Sequence, residues 1–407
     1  MARYWVGGAG NINDTAHWAA TSGGAGGETV PDSTQDVFFD DNSGAGSFNV
    51  TRNAAITVAS IDTSARTGNG VNFTSTGAIN VEGNATLNNF TSNGGTTQLL
   101  TFKTNSGVTS VFTAGGFIET NNMTISLDAA DAIVKLGSNF TVNAQKTFSI
   151  ANGTFDTDGY TLKAGFITAS AGETVYFRDS TIQLNASGQA GLNINSATNF
   201  DAGTSTIQVL NNSCQLILGG HTYHRFELLG GTSGNPTSFT DQGWTIDYLF
   251  VETPTTAIVG VEFEPSATAG NITTLEAIGT SSFPITFTYL TPGSAGTYAL
   301  CITNTLMSYC DIEYMDASCG NPVVNPNGTD SGNNTNVLFN HWWEGIPGAH
   351  YKKPQMEDVL VAKAQLQKIG DSKPKGESIS DQNAYIIGIG TRKPQASIVK
   401  GLRPLLA

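Results

Sequence analysis

Short runs in which apolar and polar residues alternate recur along most of this chain. Each run is three to five residues long and is followed by a turn rich in Gly, Asn, Ser or Thr. A period of two predicts strands with one buried face, and the i, i+3, i+4 spacing of an amphipathic helix is missing from these runs. We expect strands at residues 37–39, 55–58, 78–81, 123–127, 140–142, 147–150 and 160–162.

One of these strands returns almost unchanged. The pentapeptide STIQL at 180–184 recurs as STIQV at 205–209, 25 residues later. This offset is too long for a hairpin and too short for a domain, whereas repeats of about 20–50 residues are typical of solenoids, propellers and arrays. Because the repeated segment is strand-like, we expect a parallel β-solenoid in which each coil lays a strand beside its predecessor.

The strands become longer and more apolar after about residue 230. They fit either wider coils of the same solenoid or a small β-sandwich, and we favour continuation. The loop at 321–336 is rich in Asn, Pro and Gly. The longer segments are 244–251, 257–261, 284–289 and 308–314.

Aromatic residues stand at both ends of the predicted solenoid. An uncovered first or last edge would recruit a further strand, so we expect Trp5 and Trp18 to cover one edge and Trp342 and Trp343 the other. Stacking of Trp5 or Trp18 on a sugar is the alternative. The predicted organisation is an N-terminal cap (1–46), a parallel β-helix (47–320), a C-terminal cap and loop (321–347) and a C-terminal arm (348–407).

Charge divides the chain at about residue 350. The formal net charge is −14, yet residues 351–407 hold 10 basic and 5 acidic residues, which leaves 9 basic and 28 acidic residues in the body. So acidic a body has no electrostatic footprint for nucleic acid. The extended arm has one helical segment (356–369) and indicates docking on another subunit. Its candidate anchoring residues are Lys352, Lys353, Lys363, Lys368, Arg392, Lys393, Lys400 and Arg403.

Candidate catalytic carboxylates occur as two pairs. Asp156/Asp158 and Glu262/Glu264 are spaced i, i+2, which puts both members on one strand face about 6–7 Å apart, within the range that glycosidases use. The Asp pair falls where a turn is expected, and Asp in a turn bonds its own backbone. We expect the Glu pair to be solvated. The prediction is therefore a protein without catalytic residues.

Metal and cofactor sites are not expected either. His221 and His224 are spaced i, i+3, which on a strand sends the imidazoles to opposite faces, and no third ligand is obvious. The four cysteines lack metal spacing, so small buried hydrophobes are the favoured interpretation. Cys301, Cys310 and Cys319 recur every nine residues, which could bring two of them together on successive segments.

The composition is that of a surface-exposed β protein. Only 13% of residues are charged, and Asn, Ser, Thr and Gly supply most of the polarity. The N-terminal MARYWVGGAGN contains no apolar stretch typical of a signal peptide, and no run approaches the ~18 apolar residues of a membrane helix. A virus particle assembled in the cytoplasm would reconcile these features.

Several segments resemble right-handed β-helical proteins encoded by bacteriophages and by some bacterial surface adhesins. They are residues 137–167 (GSNFTVNAQKTFSIANGTFDTDGYTLKAGFI), the STIQL/STIQV pair and residues 218–231 (LGGHTYHRFELLGG). The opening YWVGGAGN…HW…VPDSTQDVFFD is similar to the N-terminal cap of those chains, and SYCDIEYMDAS at 308–318 resembles their late coils. The resemblance covers most of residues 3–345. It implies a right-handed parallel β-helix, often trimeric, in a virion fibre, spike or decoration protein.

The sequence thus predicts an all-β, non-enzymatic bacteriophage virion structural protein. It would be a β-helical fibre or capsid decoration protein on the particle, attached to other virion proteins through its C-terminal arm. We further expect a homotrimer that contacts host surface glycans, with no nucleic acid, membrane insertion, metal or cofactor. A polysaccharide-degrading tailspike and a bacterial surface adhesin are the alternatives.

Overall fold

The computed structural model shows a chain that is built almost entirely from short parallel strands. It describes residues 1–339 except 69, 89, 93–97, 186–188, 212, 231–235, 242 and 291–295. The chain divides into two compact units, Met1–Asn340 and His341–Ala407. The predicted arm with its helix at 356–369, together with Trp342 and Trp343, lies outside the described residues.

The strands of the first unit follow one another coil by coil. The first twelve are β1 (Ala2–Trp5), β2 (Gly10–Asn11), β3 (Trp18–Ala19), β4 (Asp36–Phe38), β5 (Phe48–Thr51), β6 (Ile56–Val58), β7 (Ser60–Asp62), β8 (Val71–Thr74), β9 (Ile79–Val81), β10 (Ala85–Thr86), β11 (Phe90–Ser92) and β12 (Leu100–Phe102). Two 3-10 turns, Thr15–His17 and Asp41–Ser43, interrupt them.

The middle coils contain β13 (Thr109–Thr113), β14 (Ile118–Glu119), β15 (Met123–Ser126), β16 (Ile133–Leu136), β17 (Phe140–Val142), β18 (Thr147–Asn152), β19 (Thr154–Asp156), β20 (Leu162–Ala164), β21 (Phe166–Ala169), β22 (Thr174–Tyr176), β23 (Thr181–Leu184), β24 (Gln189–Asn193), β25 (Asn199–Asp201), β26 (Thr206–Val209) and β27 (Cys214–Ile217). The late coils contain β28 (Thr222–Leu228), β29 (Thr237–Thr240), β30 (Thr245–Val251), β31 (Val259–Phe263), β32 (Ser266–Ile278), β33 (Ile285–Tyr289), β34 (Tyr298–Ser308), β35 (Cys310–Glu313), β36 (Met315–Asp316), β37 (Val323–Val324), β38 (Thr329–Gly332) and β39 (Val337–Leu338).

The strands stack into a parallel β-solenoid with three faces. The first face is a 10-stranded sheet in the order β25-β22-β19-β16-β13-β10-β7-β4-β1-β3. The second face begins with β2, β5, β8 and β11 and continues from β14 to β36, and the third begins with β6, β9 and β12 and continues from β15 to β38. Within the described residues every strand pair is parallel except β1 with β3. The predicted all-β solenoid is confirmed.

The repeat that suggested the fold pairs with itself. Thr181, Ile182, Gln183 and Leu184 of β23 lie beside Thr206, Ile207, Gln208 and Val209 of β26. Inward residues such as Ile182 and Ile207 are fully buried, and the residues between them face outward. Coil length varies around this value, from 19 residues between Gln208 and Glu227 to 28 between Tyr248 and Glu276.

Aromatic side chains form a nearly continuous stack inside the early coils. Phe39, Phe73, Phe90, Phe117 and Phe140 follow one another with ring centroids 4.4–6.3 Å apart. These rings come from successive coils, so each coil buries its apolar surface against the previous one. A single coil could not bury this surface alone, which is why the fold needs stacked repeats.

The first coil also closes the N-terminal end. β3 pairs antiparallel with β1 and occupies the edge position of the first face. Trp5 and Trp18 are both 0% exposed, and their rings meet edge to face with centroids 5.1 Å apart. Their indole N–H groups donate to the carbonyls of Gly8 (2.7 Å) and Ile12 (2.9 Å). Such burial leaves neither ring available to a sugar.

The second face changes where the first face ends. After β25 its strands lengthen, from 4 residues in β26 to 7 in β30 and 13 in β32. In β30, Ile246 and Leu249 are buried, whereas Asp247 and Tyr248 between them are exposed or half-buried. Two consecutive outward residues break the period of two, so the strand turns a corner and one long strand replaces two short ones.

The late strands therefore continue the solenoid with wider coils, as favoured from the sequence. The Asn-rich segment 321–336 was expected to be a loop, and this prediction was wrong in part. It contains β37 and β38, and β38 pairs with β35 on the third face. Asn325 explains the difference, since its side chain bonds both the N–H (3.2 Å) and the carbonyl (2.8 Å) of Cys310 and so replaces backbone pairing.

Candidate functional site on the second face

A chain of side-chain hydrogen bonds runs along the outside of the second face. Gln183 Nε2 donates to Gln208 Oε1 (3.0 Å), and Gln208 Nε2 donates to Glu227 Oε2 (2.9 Å). Arg225 Nε donates to Glu227 Oε1 (2.7 Å), and the Tyr248 hydroxyl donates to the Glu276 carboxylate. We call this set the second-face ladder; its members are Gln183, Gln208, Arg225, Glu227, Tyr248 and Glu276.

In-register stacking of the strands produces this ladder. Gln183, Gln208 and Glu227 occupy equivalent positions of β23, β26 and β28, and Arg225 lies beside Tyr248 of β30. Equivalent outward positions in neighbouring parallel strands are about 4.8 Å apart, which suits direct hydrogen bonds between long polar side chains. Local sequence alternation therefore places each group outside, and the register brings the groups together.

Arg225 and Tyr248 form the centre of the ladder. The guanidinium carbon lies 4.3 Å from the centroid of the Tyr248 ring, a cation–π contact. Partial burial, and then the hydrogen bond to the Glu276 carboxylate, raise the pKa of the Tyr248 phenol above its ordinary value. The phenol therefore stays protonated and keeps donating to Glu276 at physiological pH.

Phe250 adds a second half-buried ring to this surface. In the register it lies between Glu227 of β28 and Glu276 of β32, on the same outward side. Tyr and Phe rings flanked by carboxylates and a guanidinium combine flat apolar area with hydrogen-bonding groups of fixed direction. Such a surface suits hydroxyl-rich ligands, whose C–H faces stack on rings while their hydroxyls pair with charged groups.

Sequence reasoning did not single out the ladder. The signal was present as two outward pairs at i, i+2, namely Arg225/Glu227 in HRFEL and Tyr248/Phe250 in DYLFV. Recognising them as one site requires the 23-residue offset between β28 and β30, which differs from the 25-residue offset of the repeat.

The Asp pair has a structural role on the first face. Asp156 is 1% exposed, and its carboxylate accepts from Arg178 Nη2 (2.9 Å) and lies 3.9 Å from Lys135 Nζ. Its Oδ1 also accepts from the backbone N–H of Asp158 (2.9 Å), as expected for a turn. A carboxylate enclosed by two cations and a backbone donor is poorly placed to reach a substrate.

The Glu pair lies on the third face and is less solvated than expected. Glu262 and Glu264 are both partly buried, and burial raises the pKa of the Glu262 carboxyl. Glu264 accepts from the backbone N–H of Asp241 (2.8 Å), which assigns it a structural contact. Glu262 lies between Ser238 and Thr288 on neighbouring strands.

The two histidines contact different coils. His221 Nε2 is 3.2 Å from the carbonyl of Ile194, and His224 Nδ1 is 3.3 Å from the Asp247 carboxylate. Among the described residues no group of three or more His, Cys, Asp or Glu side chains could hold a metal ion.

The cysteines depart from the favoured prediction. Cys301 and Cys319 form a disulfide across a separation of 18 residues, with their Cα atoms 4.9 Å apart. Cys214 and Cys310 are buried free thiols, and only these two fit the expected small-hydrophobe role. Nine-residue recurrence did bring two cysteines together, but they are the first and third of the series.

The remaining predicted site residues lie outside the described part of the chain. They are the arm residues Lys352, Lys353, Lys363, Lys368, Arg392, Lys393, Lys400 and Arg403. Where the chain is described, it contains no helix with the length and apolar character needed to cross a membrane. Comparisons with protein-family models, curated proteins and solved structures gave no match.

Proposed function

We propose that this chain is a non-enzymatic structural protein of a bacteriophage particle, a β-helical fibre or capsid decoration protein that contacts host surface glycans. The second-face ladder carries this proposal, because it offers aromatic rings and directed polar groups along the flank of a rigid solenoid. Rigid elements hold binding groups in fixed geometry, which reduces the entropy lost on binding a glycan.

Two further features support a working life outside the cytosol. The Cys301–Cys319 disulfide is of a kind that persists in oxidising surroundings such as a particle or cell surface. The low content of charged residues fits stacked strands, since uncharged amides and hydroxyls can line neighbouring coils without like-charge repulsion. A bacterial surface adhesin would share both features.

The arm is the proposed attachment to other virion proteins. Its 10 basic residues adjoin a body that carries 28 acidic ones, so its charge favours an acidic surface on the particle. Assembly as a homotrimer belongs to the same proposal. The exposed Ile118 and Ile258 offer apolar area on the flank of the solenoid, and light scattering of the purified chain would measure its mass.

The test uses purified particles and the full chain. Antibody labelling should place wild-type protein on the particle, and Gln in place of Lys352, Lys353, Arg392 and Lys393 should lower its incorporation several-fold. Gln in place of Lys103, Lys146 and Lys163 of the body serves as the control and should leave incorporation unchanged. Particles without the chain would refute the virion role, and unchanged incorporation of the arm variant would refute the anchor.

One observation favours a second candidate, a polysaccharide-degrading spike. Glu262 combines partial burial and a raised carboxyl pKa with a neighbouring carboxylate two residues away, at Glu264. Release of reducing ends from host capsule or lipopolysaccharide by the wild-type chain, abolished in Glu262→Gln, would establish this activity in place of simple adhesion.

A further inference from the structure

A groove of about 320 Å³ lies beside the corner of the second face, where β32, β34 and the turn after β36 meet. Its walls consist of the outer edges of two neighbouring strands and one tight turn. None of its lining residues carries a charge. They are Asn271, Ile272 and Thr273 of β32, Cys301, Ile302 and Thr303 of β34, and Cys319, Gly320 and Asn321 of the turn.

The turn that forms one wall is fixed in place by three kinds of contact. The disulfide joins Cys319 to Cys301 of β34. Asn321 donates from its backbone N–H to the carbonyl of Ile302 (2.8 Å) and from Nδ2 to the carbonyl of Thr303 (2.7 Å). The groove is thus formed before any ligand arrives.

Gly320 is required for this arrangement. A Cβ at this position would lie 2.4 Å from both the nitrogen and the oxygen of Ile302, closer than real Cβ atoms approach backbone. Only a glycine lets the turn lie directly against β34. Close backbone approach, a covalent link and two hydrogen bonds make the wall rigid, and rigid walls are what a small ligand site needs.

The chemistry of the groove selects a class of ligand. Thr273 and Thr303 are exposed and present hydroxyls that both donate and accept, and the Asn271 and Asn321 side chains add amide groups. A charged ligand would lose hydration here without meeting an opposite charge. The volume lies at the lower end of the range for small-molecule sites, which suits one or two sugar rings.

The groove and the second-face ladder lie on opposite sides of the same corner. Thr273 in the groove is followed by Thr274, which pairs in register with Tyr248 of the ladder on one side and Asn304 on the other. A glycan chain lying along the ladder would therefore reach the groove within one residue of the strand. The groove can take one sugar unit of that chain while the aromatic rings hold its neighbours.

We propose that this groove binds one neutral, hydroxyl-rich sugar unit of a glycan and so sets which glycans the protein accepts. The inference rests on the proposed glycan contact but names a separate subsite. Anionic sugars are disfavoured there because no cation faces the groove among the described residues that line it.

The test is binding of the full-length chain to an array of neutral oligosaccharides built from glucose, galactose, mannose and N-acetylglucosamine, with sialylated and sulfated sugars beside them. Wild type should bind at least one neutral oligosaccharide and prefer it to anionic ones. Thr273→Val with Thr303→Val, which keeps β-branched residues on the strands, should weaken that binding at least tenfold. Thr141→Val, on a distant coil of the second face, is the matched control and should bind as wild type.

A second variant tests the wall. Cys301→Ser with Cys319→Ser should also weaken binding severalfold, and thermal melts would verify that both double variants are folded. Binding that survives the Thr double variant but is lost in Tyr248→Ala would overturn the groove and leave the proposed glycan contact standing. A preference for anionic sugars, or no binding to any neutral sugar, would likewise overturn the groove, whereas particle labelling decides the proposed function separately.

Discussion

Gln183 donates a hydrogen bond from Nε2 to Oε1 of Gln208, 25 residues further along the chain, at 3.0 Å. The two residues hold the same place in consecutive coils, and Gln208 passes the contact on to Glu227. Neighbouring coils are therefore joined by side chains outside as well as by backbone pairing. A shift of one residue would move these amides inward and the buried Ile207 outward, so the ladder and the core specify the same register.

Gln208→Ala should destabilise the protein by about 1–2 kcal/mol, because it removes two hydrogen bonds and leaves the half-buried Glu227 oxygen without its amide donor. Urea unfolding would measure the free energy of unfolding. Gln215→Ala on the third face is the matched control, since Gln215 is also half-buried, and it should cost less than about 0.5 kcal/mol. Equal losses in the two variants would mean that the ladder adds no stability.

The fold could be predicted because a β-solenoid repeats its local signals. Alternation assigned each residue to the inside or outside, and the STIQL/STIQV offset supplied the coil length that turns isolated strands into a stack. One coil thus predicted its neighbours. The N-terminal segment was separated as a cap only because its coil is longer, although β1 and β4 already pair on the first face.

The site could not be predicted because it depends on offsets that change from coil to coil. The offset is 19 residues between Gln208 and Glu227 but 28 between Tyr248 and Glu276, so constant spacing does not align the ladder. The disulfide shows the same limit. Cys301 meets Cys319 and not Cys310 because Cys310 begins β35 on the third face, where its side chain is buried.

Chemical labelling should distinguish the two pairs of cysteines. Burial raises the pKa of both Cys214 and Cys310 to about 12, so their thiols are protonated and shielded at pH 8. We expect iodoacetamide to add no groups to the native protein, two in denaturant, and four after denaturation and reduction, counted by mass spectrometry. Four groups in denaturant alone would contradict the disulfide.

Glu173→Gln should stabilise the protein at neutral pH by about 1 kcal/mol. Glu173 is 3% exposed, burial raises its carboxyl pKa above the usual 4.5, and its Oε2 has no hydrogen-bond partner among the described residues. The folded state therefore holds its proton to higher pH than the unfolded state. Stability from this group is complete below pH 4.5 and falls as pH rises through the folded pKa.

Thermal melts from pH 4 to 8 would test this sign. The advantage of Glu173→Gln should appear above pH 4.5 and vanish below it, where both side chains are neutral. Glu252→Gln at an exposed position is the control and should show no pH-dependent difference from wild type. An advantage that grows toward acid pH would refute the assignment of a protonated, buried carboxyl.

Tyr248→Ala should lower adsorption of particles to host cells about tenfold while leaving the chain folded. The substitution removes the ring on which Arg225 stacks at 4.3 Å and the hydroxyl that bonds Glu276, so the centre of the second-face ladder is lost. Tyr176→Ala on the first face is a close control. There Arg178 stacks over Tyr176 at 4.4 Å beside Asp156, the same three chemical groups in a setting to which no ligand is assigned. If the two variants adsorb equally, the ladder is a stabilising cluster like its first-face counterpart, and the contact with host glycans lies elsewhere.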